Sequence, residues 1–222
     1  MYEYADIRGR QAGETIMEIT YIEEIKRKLV HLSSLWMAAA TLLLPRNWSC
    51  LLFLLLLLLT LVSEHDYANG GRYLGKLYGK IFGKMLRDKV KPGQWIVSGG
   101  APVLAAALLV NVLFPPFIAA SSLAVMLTGD AAAALVGRKF GRHKTVNGKS
   151  WEGFASFILA GFCALSIVLS ILGLFYAFWF WGLIGVILAA VAELFQKQLK
   201  VDDNFSIPLC VGAVLYLAFR FF

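Results

Sequence analysis

Residues 51–62, LLFLLLLLLTLV, leave a helix with no polar face at all. A helix that is apolar all round belongs inside a large core or inside a bilayer. This run is the strongest of seven, at 30–45, 48–63, 94–114, 117–136, 151–172, 176–195 and 205–222, and a transmembrane helix needs ~20 mostly apolar residues. Composition agrees: 59% of the residues are hydrophobic and the mean hydropathy is +0.70, against roughly 45–50% apolar in soluble domains. The pattern predicts an all-α, polytopic integral membrane protein with about seven transmembrane helices. Residues 1–29 read as a cytoplasmic amphipathic N-terminal segment, because Ile16, Ile19, Ile22 and Ile25 recur at helical spacing between charges. Residues 30–222 read as a single transmembrane domain with basic segments at 64–93 and 137–150.

Charge orients these spans. All but two of the 21 Lys and Arg residues, Arg46 and Arg220, fall on one side of a seven-span topology, together with all 14 carboxylates or just inside that membrane edge. Lys and Arg stay preferentially in cytoplasmic loops, so this side and the N-terminus are expected to be cytoplasmic, in a bacterial or archaeal inner membrane or an ER-type membrane. No short apolar run followed by a small-residue cleavage site marks a signal peptide, and the first span is expected to stay as an anchor. Cys50, Cys163 and Cys210 lack metal-site or disulfide spacing and read as packing residues. No nucleic-acid partner is expected.

Asp130 stands out within the fourth span. A charge at the centre of an apolar span costs on the order of 2.5–3.5 kcal/mol, so its default meaning is functional. Seven residues before Gly137, it lies ~10 Å along the helix below the membrane surface. The loop GRKFGRHKTVNGKSWEG follows. Its Gly148-Lys149-Ser150 resembles the end of a phosphate-binding P-loop, but the spacing from Gly141 is wrong and no strand precedes it. What remains is a cationic loop, with Arg138, Lys144 and Lys149, leading to a helix start for which Ser150 is a plausible N-cap, and helix N-termini attract phosphate. Glu193, Asp202, Asp203 and Asn204 reach the same membrane edge. Hard oxygen ligands beside bases suit a Mg²⁺ ion holding nucleotide phosphates. Upstream, GRYLGKLYGKIFGK at 71–84 repeats a glycine and a base every four residues, which suits either a helix on anionic lipid or close helix packing.

GDAAAALVGRKFG (129–141), GKSWEG (148–153), Glu193 and DNFSIP (203–208) resemble the membrane family of CTP-dependent lipid-alcohol kinases: dolichol kinase, phytol kinase and CTP-dependent diacylglycerol kinase. RKLVH (27–31), Glu64 and Arg72 are similar to features upstream of those motifs. The resemblance implies transfer of the γ-phosphate of CTP to a lipid hydroxyl with Mg²⁺. It implies catalytic roles for Asp130, Lys149, Glu193 and Asp203, and metal ligation by Asp130, Asp203 and Asn204. Arg138, Lys144, Lys149, Ser150 and Glu152 would bind nucleotide phosphate, with His31, Glu64 and Arg72 as further candidates. Phosphatidate cytidylyltransferases share the GD and K-[ST]-W-E-G elements, but their ending, a proline before Gly-His-Gly-Gly and an Asp-Arg pair, is replaced here by Pro208-Leu209-Cys210-Val211. A transporter with Asp130 and Glu193 on an ion path is the non-enzymatic alternative, although no internal repeat of the transporter kind is visible. The expected partners are a membrane lipid and CTP, with a homodimer allowed by the glycine stripe.

Overall fold

In a bilayer each backbone N–H and C=O must be satisfied within the chain, and helices do this locally. The computed structural model of the protein describes residues 21–71, 74–82, 99–145 and 147–221, and among them the chain forms ten helices and no strand. In order these are α1 (Tyr21–Ser33), α2 (Trp36–Leu43), α3 (Arg46–Ala68), α4 (Leu74–Phe82) and α5 (Gly100–Leu113). Then come α6 (Pro116–Phe140), α7 (Trp151–Ile171), α8 (Phe175–Leu194), α9 (Gln196–Leu199) and α10 (Asp203–Phe221). Five of them, α3, α6, α7, α8 and α10, are long and apolar enough to cross a membrane. The chain is an all-α membrane protein.

The expected span at 30–45 is not one helix. Ser33 Oγ donates to the Val30 carbonyl at 2.6 Å, and the N–H groups of Ser34 and Leu35 bond the carbonyls of His31 and Leu32, three residues back. These bonds compete with the α-helical ladder, so α1 ends and the eight-residue α2 begins afresh. The expected span at 94–114 appears as the apolar α5 of 14 residues, with 94–98 outside the described residues. Of the expected amphipathic segment, 1–20 also lie outside them. The part that is described turns the other way: α1 buries Glu24 and Lys28 while Ile22 and Leu29 are exposed. Apolar side chains lose nothing by facing lipid, whereas charges need partners.

The central element is α6, which packs against α1, α2, α5, α7, α8 and α10. Its apolar window is 72% buried, against 22% for α7, although α7 has the higher hydropathy. Lipid is as apolar as leucine, so helices associate where small residues let backbones approach. Ala119, Ala120, Ser121, Ser122, Ala124 and Gly129 supply that surface on α6, and Phe53, Leu123, Met126, Phe157, Leu165 and Leu215 fill the space around it.

Alternating helix directions give the molecule two ends. α5 turns into α6, and α7 into α8, at an aromatic end where Phe117 meets Phe178 and Phe219. α6, α8 and the starts of α7 and α10 meet at the other, charged end. There α4 is pinned to α3: Asp66 Oδ2 accepts from Gly75 N at 2.7 Å, and a Cβ on Gly75 would stand 2.7 Å from the Tyr67 backbone. The glycine face of the 71–84 repeat thus serves helix packing, and Lys76 and Lys80 stay exposed; Gly83 and Lys84 lie outside the described residues. Cys163 is exposed on α7 rather than packed.

Candidate functional site

Asp130 lies near the charged end of α6 and is 9% exposed. Two side chains of α1 converge on its Oδ2: the Lys28 ammonium donates to it, and His31 Nε2 stands 3.2 Å away. Glu24, Arg27, Lys28 and His31 follow the i, i+3, i+4, i+7 spacing that puts side chains on one helix face. Glu24 anchors that face. It accepts from Arg27 at 2.5 and 3.3 Å, and Arg138 Nη1 of α6 lies 3.8 Å from its Oε2. Burial works against the Glu24 charge, but the Arg27 guanidinium, Lys28 and Arg138 outweigh it and hold the carboxyl below its ordinary range.

A second wall comes from the loop between α6 and α7. Thr145 N bonds the Lys149 carbonyl at 2.8 Å and Gly148 N the Thr145 carbonyl at 3.0 Å, with Gly148 at φ +76°, and a backbone bridge pairs Lys144 with Ser150. Ser150 is the N-cap of α7, accepting from Gly153 N at 3.1 Å. Glu152 accepts from the His143 ring at 2.7 Å and from its N–H at 3.2 Å, which braces the loop against α7. A Cβ on Gly153 would stand 2.9 Å from the Ala133 carbonyl, so glycine is what lets α7 start against α6. The folded loop delivers Lys149 to the end of α8, where its ammonium donates to Glu193 Oε1 at 2.6 Å and to the Glu193 carbonyl. The last carbonyls of a helix lack intrahelical partners and carry partial negative charge, so a cation belongs there. Asn147 fixes the same junction, donating to the Leu194 carbonyl at 2.7 Å and pairing with the Gln198 amide.

The third wall is the start of α10. Asp202 Oδ1 accepts from Asn204 N at 2.9 Å and from its Nδ2 at 2.7 Å, as an N-cap does. Asp203 accepts from Asn204 Nδ2 at 3.4 Å, and its charge interacts with Asp130, Lys28 and Lys149. Glu193 interacts with Asp130 and Lys28 in turn, and Arg27 with both Asp130 and Asp203. Three acids and four bases from α1, α6, α8, α10 and one loop therefore share one electrostatic neighbourhood.

Of the sequence candidates, Asp130, Lys149, Glu193, Asp203 and His31 come together here. Asn204 borders the cluster, its amide turned to Asp202 and, at 3.4 Å, Asp203. Arg138 is drawn toward Glu24, Ser150 and Glu152 shape the loop, and the Lys144 side chain is exposed. Glu64 lies elsewhere, buried between α3 and α4 with the Tyr78 hydroxyl donating to it at 3.2 Å. Arg72 is outside the described residues. Sequence reasoning missed Glu24, Arg27 and Lys28 as site residues, although their spacing with His31 was the signal. Among the described residues no three His, Cys, Asp or Glu side chains converge as a metal cage. A Mg²⁺ ion bound to a nucleotide needs only one or two carboxylates, the rest of its shell being phosphate and water, and Asp130 and Asp203, whose charges interact, are oxygen donors of that kind.

Over 199 residues the chain is 29% identical to an uncharacterized protein of Rickettsia prowazekii, a match covering 87% of this chain and 94% of that one. It is 40% identical over 118 residues to a phytol kinase of Synechocystis sp., covering 48% of each chain. With a probable chloroplastic phytol kinase of Triticum aestivum it shares 36% identity over 107 residues, 44% of this chain and 36% of that one. The match thus spans a half or less of each of these two kinases. No family model and no solved structure matches the chain.

Proposed function

We propose that the chain is a membrane lipid-alcohol kinase of the kind to which its phytol kinase relatives belong, and that it phosphorylates the hydroxyl of a long-chain lipid alcohol at the cytoplasmic membrane face, with CTP as donor and Mg²⁺ as cofactor. The observation that carries this reading is the meeting of Asp130, Glu193 and Asp203 with Lys28 and Lys149 at the charged end of an otherwise apolar helix bundle. A lipid hydroxyl sits at that depth, with its chain among the helices and its head at the polar edge.

Phosphoryl transfer asks for alignment and charge neutralisation more than for covalent help. The lipid oxygen bonds to the γ-phosphorus, the bond to the bridging oxygen breaks, CDP leaves, and the hydroxyl proton is released. Asp130 and Asp203 would hold Mg²⁺, which when bound neutralises phosphate charge. Lys149 would reach the phosphates from the braced loop, with Arg138 and Lys144 at its exposed rim, and Glu193 orients the Lys149 ammonium. The apolar surround keeps bulk water, a competing acceptor, from the transferring group.

The test is to incubate the purified protein with Mg²⁺, CTP and a panel of prenols, phytol, diacylglycerol and phosphatidic acid. CDP with a phosphorylated alcohol is the expected result. Pyrophosphate with a CDP-linked lipid would make it a cytidylyltransferase, and turnover of neither kind would refute the enzyme reading.

A further inference from the structure

The proposed reaction cannot keep the contact between Lys28 and Asp130. An ammonium bonded to Asp130 Oδ2 occupies an oxygen that a divalent cation would use. Both residues are almost inaccessible, Lys28 at 3% and Asp130 at 9%, so water neutralises neither charge. Removing one partner of such a pair leaves a buried, uncompensated ion. Any cation arriving at Asp130 must therefore be accompanied by a new anion for Lys28.

We propose that Lys28 is a placeholder for the metal: it neutralises Asp130 in the nucleotide-free protein and passes to a phosphate oxygen when the cation arrives together with a nucleotide. This rests on the reading of Asp130 as a metal ligand. The bases nearest the acids are not equally free to do this. Arg27 is bonded twice to Glu24, and Lys149 is bonded to both the side chain and the carbonyl of Glu193. Lys28 stands among the acids instead, interacting with Asp130, Glu193 and Asp203. A lysine has a flexible stem and a compact charge, so its head can change partner while α1 stays anchored through Glu24. His31, 3.2 Å from the same carboxylate oxygen, remains beside Asp130 when Lys28 leaves. The consequence is coupling: metal alone strands Lys28, whereas metal and nucleotide together satisfy both groups, so each strengthens binding of the other.

The experiment follows Mn²⁺ binding to the full chain in nanodiscs by loss of the free-ion electron paramagnetic resonance signal, with and without CTP, each titration read against a protein-free one so that Mn²⁺ held by CTP alone is subtracted. The wild type should bind Mn²⁺ weakly alone and more tightly with CTP. If Lys28 occupies Asp130 in nine-tenths or more of the molecules, Lys28→Met should bind Mn²⁺ alone roughly ten-fold or more tighter, and CTP should add less. Asp130→Asn in that background should abolish the gain. Lys28→Gln keeps a hydrogen-bonding head without the charge, is the gentler change for folding, and should show a gain of the same sign. Wild type that binds Mn²⁺ with CTP, beside folded Lys28 variants that bind Mn²⁺ alone no more tightly than wild type, would overturn the placeholder role and leave the kinase reading standing. Wild type that binds no Mn²⁺ even with CTP would overturn the metal reading of Asp130 and this inference with it.

Discussion

The two ends of the helix bundle both bury polar side chains, and they do so in opposite ways. At the aromatic end Thr41, Ser49 and Asn111 join α2, α3 and α5, and all are at most 1% exposed. Asn111 Nδ2 donates to Thr41 Oγ1 and to the Ala107 carbonyl, both at 3.0 Å, and Thr41 donates to the Met37 carbonyl at 2.8 Å. Ser49 Oγ stands 2.9 Å from the Arg46 carbonyl and 3.2 Å from Asn111 Oδ1. Arg46 reaches the last carbonyls of α5, those of Asn111 and Val112. That network is closed and built on neutral side chains, with Arg46 spent on helix-end carbonyls. At the charged end ion pairs such as Lys28 with Asp130 and Lys149 with Glu193 dominate, and like charges such as Asp130 and Asp203 interact. A closed neutral network fixes helices, whereas opposed charges gathered in a low-dielectric site can be rearranged by a charged ligand.

The sharpest way to break the contrast is Asp130→Asn. If the charged end is the catalytic site, CDP formation per folded molecule should fall roughly 100- to 1000-fold, the range seen when one group stabilising transition-state charge is removed. Retention of a tenth of the activity would make Asp130 a structural ion like those that pin helices. Lys149→Met comes next, with a loss of about 10- to 100-fold, since a misplacement of ~1 Å in a positioning group already costs ~100-fold. Its signature is a rise in KM for the nucleotide together with a fall in kcat. A change confined to the lipid KM would move Lys149 out of the phosphate site.

Asn111→Ala probes the other end. Hydrogen bonds between membrane helices are worth about 0.6 kcal/mol on average and about 1.7 kcal/mol at most, so a loss in that range is expected in detergent unfolding. Activity per folded molecule should not change. A variant of unchanged stability but impaired turnover would show that the aromatic end takes part in lipid binding and that the two ends are not separate in role.

Much of this plan is legible in the sequence where composition alone decides the matter. The leucine run of α3 and the apolar α7 can only face lipid or core. Asp130 announces itself because an acid in such a run has no solvent to face, and Ser150 because an N-cap has a local signature. The residues that escaped are those whose partners are distant in the chain. Nothing in LLVNVLF says that Asn111 meets Thr41 and Ser49, and nothing at Ser33-Ser34 says that the hydroxyl and backbone bonds there will end α1. Lys28 escaped for a different reason. On a water-soluble helix the charged face of α1 would be the outer one and in lipid the rule inverts, so amphipathic spacing by itself does not say which face turns to the site. Glu64 reaches the correct end of the bundle, but position along the membrane normal does not give direction around it.

The smallest expected effect concerns the anchor of α1, and it is set by pH. Glu24 has a folded-state carboxyl held below its ordinary range, so its contribution is complete above the unfolded value and disappears as pH falls through the lowered one. Arg27 and Arg138 both keep solvent contact, at 29% and 41% exposed, so the interaction is worth roughly 1 kcal/mol or less. Hydrogen exchange of the α1 amides, corrected for intrinsic rates, should show protection declining on acidification in the wild type. Glu24→Gln cannot titrate, so its α1 should be less protected at neutral pH and flat as pH falls. Glu24 touches neither Asp130 nor Lys149, so the same variant should keep most of its turnover. An unchanged pH profile in Glu24→Gln would transfer the anchoring of α1 to the Lys28 and Asp130 pair, and a residue holding the helix in place could not also be the one that moves.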